Sequence, residues 1–110
     1  MPPDERLRIG IQLADMMLLD DAPDHAIRVT QAILGLADAL PDGNPAKFMF
    51  WKLQGKCLEQ MCDYHGATAA LERAIGLAPD KQAKETLEAQ LVEMHLLQGE
   101  FGNVLKSLGK

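Results

Sequence analysis

Between Trp51 and Pro79 the residue spacing leaves few alternatives to a pair of helices folded against each other. Trp51, Gly55, Leu58 and Met61 recur at three- and four-residue intervals, which puts them on one stripe of a first helix. Ala67, Leu71, Ala74, Ile75 and Ala78 do the same on a second. Glycine inside a helix costs about 1 kcal/mol relative to alanine, so Gly55 calls for a reason. Close approach of the second helix supplies one, because the small residues Ala67 and Ala74 let two backbones come near. Pro79 lacks the amide hydrogen a helix needs and stops the second helix. Cys62-Asp63-Tyr64 forms the turn between them.

In this order and spacing, Trp51, Gly55, Leu58, Tyr64, Ala67, Leu71, Ala74 and Pro79 resemble one unit of the tetratricopeptide repeat family, whose period is about 34 residues. The resemblance covers residues 48–81. It implies an all-α fold, a right-handed stack of antiparallel helix hairpins, used to bind another protein rather than to catalyse.

The rest of the chain divides the same way. A helix from about Asp4 to Leu19 carries Leu7, Ile11, Ala14 and Leu18 on one stripe. Asp20-Asp21-Ala22 breaks it, with Pro23 suited to the start of the next helix and Asp21 or Ala22 to its cap. That second helix runs to Leu40 with Ala26, Val29, Ile33 and Leu36 inward. Pro41-Asp42-Gly43-Asn44-Pro45 is the strongest break in the chain. After Pro79, Asp80 is placed to cap a fifth helix reaching Gln98, along which Leu87, Leu91, Met94 and Gln98 follow one another. Gly99-Glu100-Phe101 reads as a turn into a short sixth helix. Nothing alternates as a strand does. The expectation is one domain over residues 1–110 with hairpins at about 4–40, 46–78 and 81–109. Leu91 falls where Gln54 stands in the middle unit and Val92 where Gly55 stands, with about three residues more than the usual period between them. In the first unit Ala14 and Ala26 fit, without an aromatic residue at the turn. An irregular six-helix bundle is the alternative architecture.

Composition agrees with packed helices and narrows the partners. The 110 residues are 47% hydrophobic but only 5% aromatic, so Leu, Ala, Ile and Met must fill the core. The formal net charge of −5 disfavours nucleic acid, since phosphate binding needs a basic face. No apolar run approaches the roughly 20 residues of a membrane span. Cys57 and Cys62 are the only cysteines; free thiols in a reducing compartment, the cytoplasm, are expected.

The resemblance implies a concave groove lined by the first helix of each hairpin. Carried across, the middle unit presents Met49, Lys52, Lys56, Glu59 and Gln60, and the third presents Thr86, Ala89, Glu93, Leu96 and Leu97. The first unit offers Arg8, Ile11, Asp15 and Leu18. Lys52 and Lys56 share a helix face, with Glu59 in reach of Lys56, and form a small cationic spot for a ligand carboxylate or an ordinary solvated face. Thr86 and Gln90 depart from the family's chaperone-tail clamp and argue against that ligand. Phe101, Val104, Leu105 and Leu108 make the last helix too apolar to stand uncovered, pointing to a partner or self-association surface.

No pattern supports catalysis, a metal or a cofactor. His25, His65 and His95 lack the i, i+4 spacing of a helical metal site. Cys57 has no neighbouring base in the sequence and fits a core position. Asp20, Asp21 and Asp24 lack the glycine and distal glutamate of a calcium loop and are read as helix-capping acids. The favoured reading is a non-catalytic interaction scaffold that holds a segment of another protein. An oligomerisation module, or a small chaperone-like subunit of a larger complex, is the alternative.

Overall fold

The computed structural model describes residues 2–100, Glu100 by its backbone alone. Five α-helices follow one another: α1 (Pro3–Leu19), α2 (Pro23–Ala39), α3 (Pro45–Gln60), α4 (Tyr64–Gly76) and α5 (Lys81–His95). Among the described residues there is no strand. The expected sixth helix, with Phe101, Val104, Leu105 and Leu108, lies outside the described residues.

Helix starts follow local chemistry closely. Proline opens α1, α2 and α3, where its missing amide hydrogen would be unpaired anyway. Asn44 Oδ1 accepts from the Ala46 amide at 2.9 Å, Asp63 Oδ1 from Gly66 at 3.0 Å and Asp80 Oδ1 from Ala83 at 2.8 Å. The acids before α2 behave otherwise. Ala22 occupies the cap position with no side-chain bond, Asp21 turns left-handed at φ 60°, and Asp20 closes α1. Asp24 alone stands in the first turn of α2, so these carboxylates do not cap as expected.

The α1–α2 and α3–α4 turns are copies of one another, 41 residues apart. Cys62 repeats the left-handed backbone of Asp21, with φ 62°. The amides of Asp20, Asp21 and Ala22 donate to the carbonyls of Met16, Leu18 and Met17, and those of Met61, Cys62 and Asp63 to Cys57, Glu59 and Leu58. This geometry ends α3 at Gln60 and leaves Met61 exposed, off the buried stripe the spacing assigned to it. The connections into α3 and α5 share one bond, the Leu40 amide to Ala37 and the Leu77 amide to Ala74, but Leu40 is extended where Leu77 is not, and the second connection reaches its helix one residue sooner.

Each hairpin closes on a glycine. A Cβ on Gly10 would stand 2.7 Å from Ile33 Cδ1, and one on Gly55 would stand 3.1 Å from Leu71 Cδ2 and 3.6 Å from the Ala67 carbonyl. The close approach expected between Gly55 and the Ala67 helix is therefore present.

Two apolar clusters form the core. The first gathers Leu7, Ile11, Ala14 and Leu18 of α1, Ala26, Ile27 and Ala37 of α2, and Ala46, Phe50, Leu53 and Cys57 of α3. The second joins Ala67, Leu71 and Ala74 of α4 to Leu87 and Met94 of α5. Trp51 and Leu58 pack against both. Phe50, fully buried, is the main aromatic anchor; the stripe Ala46, Phe50, Leu53, Cys57 was hidden beside the more conspicuous Trp51 stripe. Trp51 is only half-buried, edge-on to Phe50 at 5.1 Å and 88°, with the Arg73 guanidinium 4.4 Å from its ring centroid. On α2 the buried set turns toward Ile27 and Thr30, with Val29, Ile33 and Leu36 half-buried. This helix contacts both α1 and α3. Thr30 Oγ1 donates to the Ile27 carbonyl at 2.9 Å, which satisfies its hydroxyl inside the core.

No tight turn forms at Gly99. The chain continues beyond α5 as five residues of wider π-type winding, Leu96–Glu100. Gln98 Nε2 lies 3.1 Å from His65 Nδ1 and ties this segment to the start of α4.

Candidate partner-binding groove

α1 packs on α2 and α3, α3 on α4, and α4 on α5. The i, i+4 pair Lys52 and Lys56 on α3 faces outward between these contacts. Three recesses meet there. One of about 310 Å³, between α1 and α3, is lined by Ile11, Gln12, Asp15, Met49, Lys52, Leu53 and Lys56. A second, about 200 Å³, involves Lys52, Lys56, Glu59, Gln60, Leu71 and Gln90. The third, about 290 Å³, lies between Phe48, Lys52 and the first turns of α5, with Asp80, Thr86 and Leu87. Lys52 is common to all three.

Thus Met49, Lys52, Lys56, Glu59 and Gln60 come together, with Gln12, Leu53 and Gln90 as neighbours that motif-based reading did not select. Ala89, Glu93 and Leu96 are exposed but lie outside these recesses, on the side of α5 away from the buried Leu87 and Met94. In the first unit Ile11 and Leu18 are core residues, each 6% exposed, in the cluster that α1 shares with α2 and α3; Ile11 also lines the first recess. Lys56 pairs across helices with Asp15, Nζ to Oδ1 3.8 Å, rather than with Glu59. Both side chains are about half exposed, so the pair contributes little to stability. Among the described residues no carboxylate stands within ion-pair distance of Lys52.

Lys47 shows how this fold treats a cation it does not offer to solvent. It is 7% exposed, and its Nζ donates to the Leu40 carbonyl at 3.1 Å and meets Asp42 Oδ1 at 2.9 Å. That hydrogen bond and charge hold the Asp42 carboxyl below its ordinary range.

Elsewhere the chemistry is sparse. A depression of about 510 Å³ between α4 and the end of α5 gathers His65, Thr68, Glu72, His95 and Gln98. Among the described residues no three His, Cys, Asp or Glu side chains converge as a metal site. Cys57 is fully buried, and burial pushes its thiol up to about 11, the opposite of an activated nucleophile. Cys62 is exposed. A thiol reagent at neutral pH should therefore modify one cysteine of the folded chain and both in denaturant. Peptide mapping should place the fast adduct on Cys62; rapid native labelling of Cys57 would contradict the packing.

The described residues define an all-α protein of five helices. Among the described residues no helix is long and apolar enough to cross a membrane. No family model, curated protein or solved structure matches the chain.

Proposed function

We propose that the protein is a non-catalytic interaction scaffold of the tetratricopeptide type. In this reading its hairpins stack right-handedly and a segment of another protein lies along the α1–α3–α5 side. The observation that carries this reading is the convergence of three recesses on Lys52, which among the described residues has no carboxylate within ion-pair distance. An extended segment crossing them would bury apolar groups beside Met49, Leu53 and Leu71 and set an acidic group on Lys52. Main-chain contacts and pockets of this kind give affinity and polarity without a catalytic group.

The test is a peptide display selection against the full chain. Recovered peptides should carry Asp, Glu or a free C-terminal carboxylate, and Lys52→Glu should weaken them about tenfold, roughly 1.4 kcal/mol. Lys52 is exposed, so the variant should keep the helical spectrum and melting point. Recovery of no peptide above background, or equal binding to the charge-reversed chain, would remove the groove from consideration.

A further inference from the structure

α3 packs directly on α1, whereas α5 is joined to it through α4. A furrow is therefore left between α3 and α5. The Lys52–Thr86 recess and the Lys52–Gln90 recess lie one after the other along it, and Leu71 of α4 lines the second. Past Phe48 the furrow opens into a fourth recess, about 330 Å³, walled by Pro45, Leu77, Ala78 and Pro79. Phe48 borders both this recess and the one at Lys52. From Phe48 to Gln60 α3 rises about 18 Å, the span of roughly six extended residues.

The chemistry changes along that length. At the Phe48 end the walls are apolar and the polar side chains are already engaged. Asp42 is paired with Lys47, Asn44 caps α3 and Asp80 caps α5. Lys52 and Lys56 stand in the middle, the latter in a long 3.8 Å contact with Asp15. Gln82, Gln90 and Gln60 add amides that both donate and accept, which suits the unpaired main chain of an extended segment and is of no use to a helix that bonds its own.

We propose that the ligand of this groove is an extended segment of another protein lying lengthwise between α3 and α5, with a large apolar residue at Phe48 and a carboxylate two residues away on Lys52. This rests on the groove reading above and narrows it. The register follows from two repeats. Phe48, Lys52 and Lys56 are separated by four residues each, a rise of about 6 Å. Side chains on one side of an extended segment recur every two residues, about 6.6 Å. A second acidic or amide side chain two residues further on meets Lys56. Glu59 and Asp80, toward the two ends, confine acidic positions to the middle.

Selection from a random octapeptide display library against the full chain tests this, with Thr86→Glu and Gln12→Glu run in parallel. Both residues are exposed; Thr86 lines the furrow, and Gln12 the recess between α1 and α3. Enriched peptides should carry a large apolar residue and an acid two positions apart. Thr86→Glu should weaken them about tenfold, and Gln12→Glu should leave them bound. Peptides lost on Gln12→Glu but kept on Thr86→Glu would place the ligand across α1 and α3, overturning this inference and leaving the Lys52 groove standing. Acidic peptides with no fixed spacing to an apolar residue would overturn it in the same way. No enrichment, or enrichment indifferent to Lys52→Glu, would remove the groove reading as well. Self-association of the chain that Thr86→Glu abolishes would make a second copy the occupant and equally overturn the proposal.

Discussion

Phe50→Ala should cost about 3–5 kcal/mol of folding stability, the range for deleting a fully buried aromatic side chain. The ring is 0% exposed and sits where α3 meets α1 and α2. Its removal opens a cavity in the cluster shared by α1, α2 and α3, whose residues are held by three helices and cannot collapse fully. The edge-on contact with Trp51 is lost as well, worth about 0.5–1.5 kcal/mol beyond burial. For a chain of this size the melting point should fall by more than about 10 °C. Urea unfolding followed by far-ultraviolet circular dichroism measures the loss. A change below 1 kcal/mol would show that Phe50 does not anchor the first cluster.

Gly55→Leu should cost roughly 1–3 kcal/mol, toward the upper end of that range. A first carbon at this site already stands 3.1 and 3.2 Å from Leu71 Cδ2 and Cγ. A branched side chain can be placed only by parting α3 from α4, which uncovers Ala67 and Leu71 together. Gly55→Ala is a finer measurement. Alanine brings about 1 kcal/mol of helix propensity, and the sign of the net change reports how far Leu71 yields. Combining Gly55→Leu with Leu71→Ala should cost less than the sum of the two, because the second change vacates space the first needs. Strict additivity would mean that the two residues do not share that space.

These two positions also show what could be read from the sequence. Gly55 was legible because a glycine inside an apolar helical stripe is a local anomaly with few explanations. Phe50 was not, because its stripe became visible only once the side of α3 facing α1 was known. Helix starts were legible for the same local reason: Pro23, Pro45 and Asp80 act on their own backbone. The turn assigned to Gly99 failed because glycine permits a turn without requiring one, and there Gln98 is tied to His65 on another helix. In the groove, the shared face of Lys52 and Lys56 followed from their spacing. The partner of Lys56 did not, since Asp15 lies on α1 and only packing brings it near. Of the two apolar residues expected at the groove from α1, Leu18 belongs to the core alone, while Ile11 is a core residue that also lines the α1–α3 recess. The assignments on Phe101, Val104, Leu105 and Leu108 lie outside the described residues.

Trp51 and Leu58 are the side chains that touch both apolar clusters. Part of the coupling between the two halves of the core therefore runs through these two residues, beside the close packing of α3 on α4 at Gly55. While they hold, melting one cluster disturbs the other. Trimming either should broaden the unfolding transition, the second cluster loosening ahead of the first. Because Trp51 is also the chain's one tryptophan, its emission reports on the joint itself.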